Sequence, residues 1–104
     1  MAQFDIYPNP SPANEGFPYV VDMQSNQLAS LPTRLVMPLQ RLLRHPAGLP
    51  RRLTQSIDVQ GERLYLAAQQ CAAVPAPALK KAVASVRAQS SLFVDALDAV
   101  VSGV

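Results

Sequence analysis

The stretch that sets the fold class covers residues 56–67 and reads Ser-Ile-Asp-Val-Gln-Gly-Glu-Arg-Leu-Tyr-Leu-Ala. Apolar and polar residues alternate on both sides of Gly61, which is the pattern of two strands that each bury one face. A glycine between two such runs is typical of the tight turn of a β-hairpin. The stretch therefore predicts antiparallel strands over residues 56–60 and 63–67, and a fold built mainly from an antiparallel sheet.

The chain before this hairpin predicts three further strands. The alternation in residues 3–7 (Gln-Phe-Asp-Ile-Tyr) predicts an opening strand that ends at a run of prolines, and residues 17–23 predict a second strand that pairs with it across a long loop. Residues 35–37 predict a short third strand that stops at Pro38, because proline lacks the N–H of a strand ladder. Residues 39–43 are compatible with one helical turn.

The chain after the hairpin predicts one strand and then a helix. Residues 72–74 form the strand, and beyond Pro77 the apolar residues recur at helical spacing while alanines supply helix propensity. We expect a strand-rich part over residues 1–78 and one long C-terminal helix over about 79–101. Its start stays open between Leu79 and Ser85, because Ser85 is a good N-cap. The predicted buried stripe consists of Leu79, Val83, Val86, Phe93, Leu97, Val101 and Val104.

Length and composition limit the class of protein. The chain has 104 residues, ten prolines and a net charge of +2, and only 15% of its residues are charged, against about 25% in average domains. We expect one small domain over residues 1–104, with a charge-poor surface that meets a partner. The longest uncharged run, residues 64–79, is shorter than the roughly 20 residues of a membrane span. With no signal-peptide pattern at the start, the sequence predicts a soluble cytoplasmic protein without a membrane partner.

Residues that could build an active site or a metal site are scarce. Cys71 is the single cysteine and His45 the single histidine, which excludes a disulfide scaffold and a structural zinc site. A serine nucleophile would need His45 as its base, and the four glycines form no phosphate-binding loop. Asp95 and Asp98 lie one helical turn apart, a spacing that is common without a metal. We therefore predict no enzyme, no catalytic residue, no cofactor and no metal.

Five arginines occupy a segment that has no acidic residue between Asp22 and Asp58. Arginine pairs with carboxylates and phosphates through two parallel hydrogen bonds, so the segment predicts a surface for an acidic partner, unless it is only a solvated loop. Direct nucleic-acid binding is not expected, because no aromatic residue is interleaved with these arginines for bases to stack on. The five are Arg34, Arg41, Arg44, Arg51 and Arg52.

The charges of the predicted terminal helix oppose its dipole. Lys80, Lys81 and Arg87 lie toward its N-terminal half, and Asp95 and Asp98 lie in its C-terminal half, whereas the reverse order is the stabilising one. Residues that violate a local preference are often functional. The pattern indicates an acidic tip at the end of the helix, or else a frayed terminus.

Several stretches of the chain, in order and at similar spacing, resemble the CcdB family, the toxins of bacterial toxin–antitoxin modules. The most specific are Val21-Asp22-Met23-Gln24-Ser25 and Arg34-Leu35-Val36-Met37-Pro38-Leu39. The others are residues 3–7, Ala73-Val74-Pro75 and the terminal Gly103-Val104. The resemblance implies a small twisted antiparallel sheet related to SH3-like barrels with one long C-terminal helix, a homodimer, and no cofactor or metal.

The resemblance also implies a function, that of the toxin in a type II toxin–antitoxin module of the kind that serves plasmid maintenance. Such toxins are DNA gyrase inhibitors, and so topoisomerase inhibitors. They bind the gyrase A subunit and trap the enzyme on cleaved DNA. A cognate antitoxin neutralises them through a disordered acidic tail.

Position by position, the resemblance implies two gyrase-binding elements, the end of the terminal helix and the segment after the Gln-Ser pair. Family members can carry Trp where this chain has Ser102, an apolar residue at Gln27 and an acidic residue at Ala29, so the strength of gyrase poisoning is in question. The expected gyrase-binding residues are Leu28, Asp98, Val101, Ser102, Gly103 and Val104. We expect the antitoxin's acidic tail to bind four of the arginines, namely Arg41, Arg44, Arg51 and Arg52.

Two alternatives remain open. Toxins of a closely related fold are endoribonucleases, and fold does not determine function; in that case Asp22, Thr33 and Arg34 are the residues to suspect. The other alternative is a homologue that dimerises and binds an antitoxin but no longer poisons gyrase.

Overall fold

A computed structural model describes residues 2–11, 16–41 and 55–102 of the chain. These residues form a nearly closed, barrel-like antiparallel sheet and one α-helix, which confirms the predicted mainly β fold with a C-terminal helix. The elements are β1 (Asp5–Pro8), β2 (Tyr19–Asp22), β3 (Thr33–Gln40), β4 (Ser56–Val59), β5 (Glu62–Leu66), β6 (Ala72–Pro75), β7 (Ala84–Ser85) and α1 (Ser90–Ser102). The strand order is β4-β5-β3-β2-β1-β7, and β6 pairs with β3.

The β4–β5 hairpin confirms the prediction from residues 56–67. Ile57 pairs with Leu64, so both apolar side chains lie on the same face of the sheet. Gln60 and Gly61 occupy the turn with φ values of 51° and 84°. Positive φ at both central residues is the requirement of a type I′ turn, whose twist matches that of the flanking strands. The pairing of β1 with β2 is confirmed as well.

Strand β3 is longer than predicted, because Pro38 does not end it. It covers Thr33–Gln40, with β6 beside its first half and β5 beside its last two residues. The carbonyl oxygen of Pro38 accepts a hydrogen bond from the N–H of Ala67 at 3.0 Å, so this side of Pro38 faces the gap between β6 and β5. No ladder donor is needed there. A helical turn, which the sequence allows over residues 39–43, is wrong for the first two of these residues, because they belong to β3; residues 42 and 43 lie outside the described residues.

Both faces of the sheet are partly buried. The main core cluster lies between the sheet and α1 and contains Phe93, which is 0% exposed. Alternation along the strands sends the neighbouring side chains to the other face, where a second core cluster forms. The main cluster includes Ile6, Val21, Met37, Leu39, Ile57, Val59, Leu64, Leu66, Phe93 and Ala96, and the second consists of Tyr7, Val20, Val36 and Leu79.

The terminal helix begins at Ser90, not near Leu79 or Ser85 as predicted. Before it, the N–H of Val83 donates to the carbonyl of residue 6, and the N–H of Val86 donates to that of residue 4, both at 2.8 Å. These bonds hold the segment extended against β1, and Leu79 fills the second core cluster. Tertiary contacts therefore override the helix propensity of the alanines.

This later start corrects two predictions about the helix. Lys80 and Lys81 lie well before α1, so the predicted opposition between these two cations and the helix dipole is wrong. Arg87 lies in the short 3-10 helix Arg87–Gln89 that leads directly into α1, so its predicted opposition to the dipole remains. Of the predicted buried stripe, Phe93 is buried on α1, whereas Val101 is 78% exposed. Leu79 and Val86 are buried as predicted, but both precede α1: Leu79 lies in the second core cluster and Val86 in the main one, so the stripe is not one face of a single helix. Val104 lies outside the described residues.

An ion pair is buried on the same face as the second core cluster. Asp22 is 0% exposed and Arg34 is 1% exposed. Both Nε and Nη2 of Arg34 donate to Oδ2 of Asp22, at 3.0 and 2.5 Å. Burial, followed by the charges of Asp5 and Asp22, raises the pKa of the nearby Tyr7. Each charge of the pair has lost its water and depends on the other.

Replacing Arg34 alone should therefore be costly. We expect Arg34→Met to lower the free energy of unfolding by about 3–5 kcal/mol, because it leaves the Asp22 carboxylate buried and unpaired. The double variant Asp22→Asn with Arg34→Met should lose less than the single one. Urea unfolding at one fixed protein concentration measures both. A loss below about 1 kcal/mol for Arg34→Met would show that the buried carboxylate finds other partners.

Candidate functional site

The last turns of α1 carry three of the predicted gyrase-binding residues on the solvent side. Phe93 and Ala96 bury the inner face of the helix, so the helical repeat directs Asp98 and Val101 outward. The hydroxyl of Ser102 donates to the main-chain carbonyl of Asp98 at 2.7 Å, which satisfies one of the last carbonyls of the helix. We call Asp98, Val101 and Ser102 the helix-end surface. The predicted residues Gly103 and Val104 lie outside the described residues.

The helix-end surface has a neighbour that was not predicted from the sequence. Val94 is 52% exposed and lies one helical turn before Asp98 on the same side. The spacing of Val94, Asp98 and Val101 is visible in the sequence, but Val101 was included in the predicted buried stripe and so was expected on the inner face. Asp95, the other member of the predicted acidic tip, is exposed on the adjacent row of the helix.

Leu28, the other predicted contact, lies in the connection between β2 and β3. Residues Asn26–Leu28 form a short 3-10 helix, and the hydroxyl of Ser25 accepts a hydrogen bond from the N–H of Gln27 at 3.2 Å. Leu28 is 48% exposed and Leu31 is 46% exposed. We call residues 25–31 the Leu28 turn. Its two exposed leucines form a small apolar surface of the kind found at protein interfaces, and Leu31 was not predicted.

Gln24 connects the Leu28 turn to the buried ion pair. Its main-chain N–H donates to Oδ1 of Asp22 at 3.0 Å. Its side-chain Oε1 accepts from the N–H of Leu35, and its Nε2 donates to the carbonyl of Leu28, both at 3.0 Å. Because Gln24 is only 9% exposed, these bonds are shielded from competing water. Both ends of its amide are therefore committed, one to β3 and one to the turn.

Residues 3 and 4 connect the Leu28 turn to α1. The main-chain N–H of Gln3 donates to Oδ1 of Asn26 at 3.0 Å, and its side chain donates to the carbonyl of Met23 at 3.1 Å. The ring of Phe4 packs against Phe93 of α1 with centroids 6.4 Å apart. Residues 3 and 4 thus link the Leu28 turn to the first half of α1, the helix whose end carries the other predicted gyrase-binding element.

Phe4 has a strained backbone at this junction. Its φ of 71° lies in the left-handed region, which is unfavourable for a bulky residue. Its N–H donates to the carbonyl of Asp22 at 2.6 Å, and its own carbonyl accepts from Val86 at 2.8 Å. Such strain persists only where the surrounding contacts over-determine the conformation.

Arg41 is the one predicted antitoxin-binding arginine among the described residues; Arg44, Arg51 and Arg52 lie outside them. Its guanidinium forms a salt bridge with the carboxylate of Glu62 in β5, and this hydrogen bond raises the pKa of Arg41. The side chains are 53% and 37% exposed. Exposed pairs contribute little to stability, so a partner's carboxylate can replace Glu62. Arg34, by contrast, is turned inward and adds nothing to a basic surface.

The residues suspected for ribonuclease chemistry are not arranged as an active site. Asp22 and Arg34 are buried and occupied with each other, while Thr33 is exposed. Within residues 2–11, 16–41 and 55–102, no cavity encloses space for a small ligand, and no three His, Cys, Asp or Glu side chains gather as metal ligands. In this described part of the chain, no helix has the length and apolarity needed to cross a membrane.

Cys71 has the properties of a packing residue. It lies partly buried against the main core cluster. Burial raises the pKa of its thiol to about 11, which suppresses the thiolate, the nucleophilic form. The thiol is therefore not activated for covalent chemistry.

The family model described as CcdB protein matches residues 3–103, almost the full chain. No curated protein matches the chain.

The raised pKa of Cys71 predicts slow alkylation. At pH 8, iodoacetamide should modify Cys71 about 100-fold more slowly in the folded protein than in the urea-unfolded chain, because a pKa about two units higher leaves about 100-fold less thiolate. The folded-state rate should rise with pH up to about pH 11. Mass spectrometry of timed samples gives both rates. Equal rates in the two states would contradict a buried thiol.

Proposed function

The chain belongs to the CcdB family, the toxins of toxin–antitoxin modules, and from this premise we propose that it inhibits DNA gyrase. In this proposal it binds the gyrase A subunit and traps the complex with cleaved DNA, and a cognate antitoxin neutralises it. The protein would act as a homodimer in the cytoplasm, where its target works on DNA.

The helix-end surface is the observation that supports this proposal best. Val101 is 78% exposed, although burying a valine side chain is worth roughly 1.5 kcal/mol or more. An apolar side chain beside the carboxylate of Asp98 offers a partner one hydrophobic contact and one charge. This combination suits a protein surface with a basic group next to an apolar recess.

The Leu28 turn supplies a second apolar contact in the proposal. Leu28 and Leu31 are each about half exposed. The turn is connected to α1 through Gln3 and Phe4. A partner that engages both elements would add their contributions without ordering a flexible link between them.

Ser102 weakens the proposed contact relative to family members that carry Trp there. A tryptophan ring can stack on an arginine of the partner, and such a cation–π contact is worth roughly 0.5–2 kcal/mol. Ser102 instead closes a hydrogen bond within its own helix. We therefore expect gyrase poisoning that depends more heavily on Val101 and the residues after it.

In the proposal, the acidic tail of the antitoxin binds the arginine-rich segment, residues 41–52. Arg41 is exposed, and its present partner Glu62 is a carboxylate, the same group that an acidic tail would offer. Exchanging one carboxylate for another at an exposed pair costs little. Arg44, Arg51 and Arg52 follow in the same segment and would add further charge.

The first test is removal of the helix end. Deletion of residues 102–104, and separately Val101→Ala, should each raise the concentration that half-inhibits gyrase supercoiling about tenfold or more, the effect of losing about 1.4 kcal/mol at an interface. Folding should survive, because Val101 and Ser102 are exposed. Supercoiling and cleavage-complex assays measure the effect, and size-exclusion chromatography follows the proposed homodimer.

Val100→Ala is the matched control for this test. Val100 is also a valine but follows the buried positions Phe93 and Ala96 at helical spacing and is 40% exposed. It should inhibit gyrase as the unmodified protein does. Full inhibition by the truncated protein would overturn the role of the helix end. A full-length protein that does not inhibit gyrase would indicate a homologue that no longer poisons this enzyme. Cleavage of pure RNA would favour a ribonuclease.

The second test compares two exposed arginines. Arg41→Glu should weaken antitoxin binding several-fold at low salt, whereas Arg63→Glu should not, although Arg63 is also exposed and lies 3.5 Å from a carboxylate oxygen of Asp58. Charge reversal at Arg41, Arg44, Arg51 and Arg52 together should weaken it further. The differences should shrink toward 1 M salt, where the screening length falls to about 3 Å. Unchanged affinity and salt dependence, measured by calorimetry, would mean that the segment only faces solvent.

A further inference from the structure

We infer that Asp22, Arg34 and Gln24 are positioning residues that hold the Leu28 turn in the shape its macromolecular partner binds. The inference rests on the proposed function, in which Leu28 contacts gyrase. None of the three residues presents its side chain to that partner, because all are buried.

The Leu28 turn cannot be ordered by burying its own side chains. Every residue from 25 to 31 is exposed, and the 3-10 helix Asn26–Leu28 contains no buried residue. Short 3-10 helices have poor hydrogen-bond geometry and little stability of their own. Its own hydrogen bonds, such as those from the N–H of Leu28 to the carbonyl of Ser25 at 2.9 Å and from the N–H of Leu31 to the carbonyl of Leu28 at 3.1 Å, are open to solvent. Hydrogen bonds to buried groups beneath the turn therefore add to its order.

The ion pair fixes the first of these groups. Nε and Nη2 of Arg34 both donate to Oδ2 of Asp22. The other carboxylate oxygen, Oδ1, then accepts from the main-chain N–H of Gln24 at 3.0 Å. Arg34 thereby orients the carboxylate, and the carboxylate fixes the backbone at the point where the chain leaves β2.

Gln24 transmits this position to the turn. One end of its side-chain amide is anchored on the N–H of Leu35 in β3, and the other end donates to the carbonyl of Leu28 at 3.0 Å. An amide can serve both links at once because it carries an acceptor and a donor. The carbonyl that it holds belongs to the residue proposed to contact gyrase.

Positioning also explains why a buried ion pair is useful here. Buried pairs are poor stabilisers, since apolar residues of similar volume often give equal stability. A preformed turn, however, avoids part of the ordering cost of binding. The benefit of the pair would then appear in partner affinity more than in the free energy of unfolding.

The decisive variant is Gln24→Met, which keeps the length of the side chain and removes both amide links. Its matched control is Gln70→Met, an exposed glutamine in another 3-10 helix. Hydrogen–deuterium exchange should be on the order of fivefold faster at the N–H groups of residues 27–31 in Gln24→Met, the effect of losing about one hydrogen bond. Exchange in β5, and in β3 apart from Leu35, whose N–H loses its acceptor in this variant, should match the control. The half-inhibitory concentration for gyrase, per folded protein, should rise by a similar factor.

Arg34→Lys and Arg34→Met extend the test to the ion pair. Lysine retains the positive charge but replaces the two donor nitrogens of the guanidinium with a single ammonium, so the Leu28 turn of Arg34→Lys should exchange more slowly than that of Arg34→Met. If Arg34→Met does not fold, Gln24→Met decides alone.

Two results would overturn the inference. One is turn exchange in Gln24→Met that equals the control, or that rises only together with exchange in β5 and in the residues of β3 other than Leu35, as a merely structural role requires. The other is faster turn exchange with unchanged inhibition. Wild-type protein that leaves supercoiling intact would instead overturn the proposed function, and exchange would still decide whether the network orders the turn.

Discussion

Arg34 donates two hydrogen bonds to one carboxylate oxygen of Asp22, and nearly all water is excluded from both side chains. The pair joins β2 to β3 across the face that also carries the second core cluster. Its geometry leaves one carboxylate oxygen for the backbone of Gln24, and the carbonyl of Asp22 holds the strained Phe4. The positions of β2, β3, the Leu28 turn and the N-terminal segment therefore all depend on this one ion pair.

The surfaces that carry the proposed function lie on elements which the core holds but does not cover. The inner face of α1 is buried through Phe93, while Val101 extends into solvent at its end. The Leu28 turn stands on the network around Gln24 in the same way. An arrangement of this kind suits recognition of a large partner, since binding adds contacts to a surface that is already ordered.

Strands and hairpins were predictable because their signals are local. Alternation and Gly61 are enough to specify the β4–β5 hairpin and its turn. The effect of Pro38 was predicted wrongly, because a proline ends a strand only where its missing N–H is needed for pairing. On one side of β3 the partner changes from β6 to β5 at Pro38, so no N–H is needed there. The start of α1 was misplaced because the carbonyls of residues 4 and 6, distant in sequence, bind the segment that its alanines favour as helix.

By itself the sequence determined the fold class, the resemblance to its family and the residues proposed to meet gyrase, because these depend on short patterns and their order. Tertiary structure alone decided that Arg34 is an internal support and not part of a basic surface. It also decided between the two predictions for Val101, which is exposed and not part of a buried stripe. Burial and pairing depend on the neighbours that folding brings together. Nothing in the sequence distinguishes Asp22 and Arg34 from other charged residues. Only their burial as an ion pair makes the positions of the neighbouring segments depend on them.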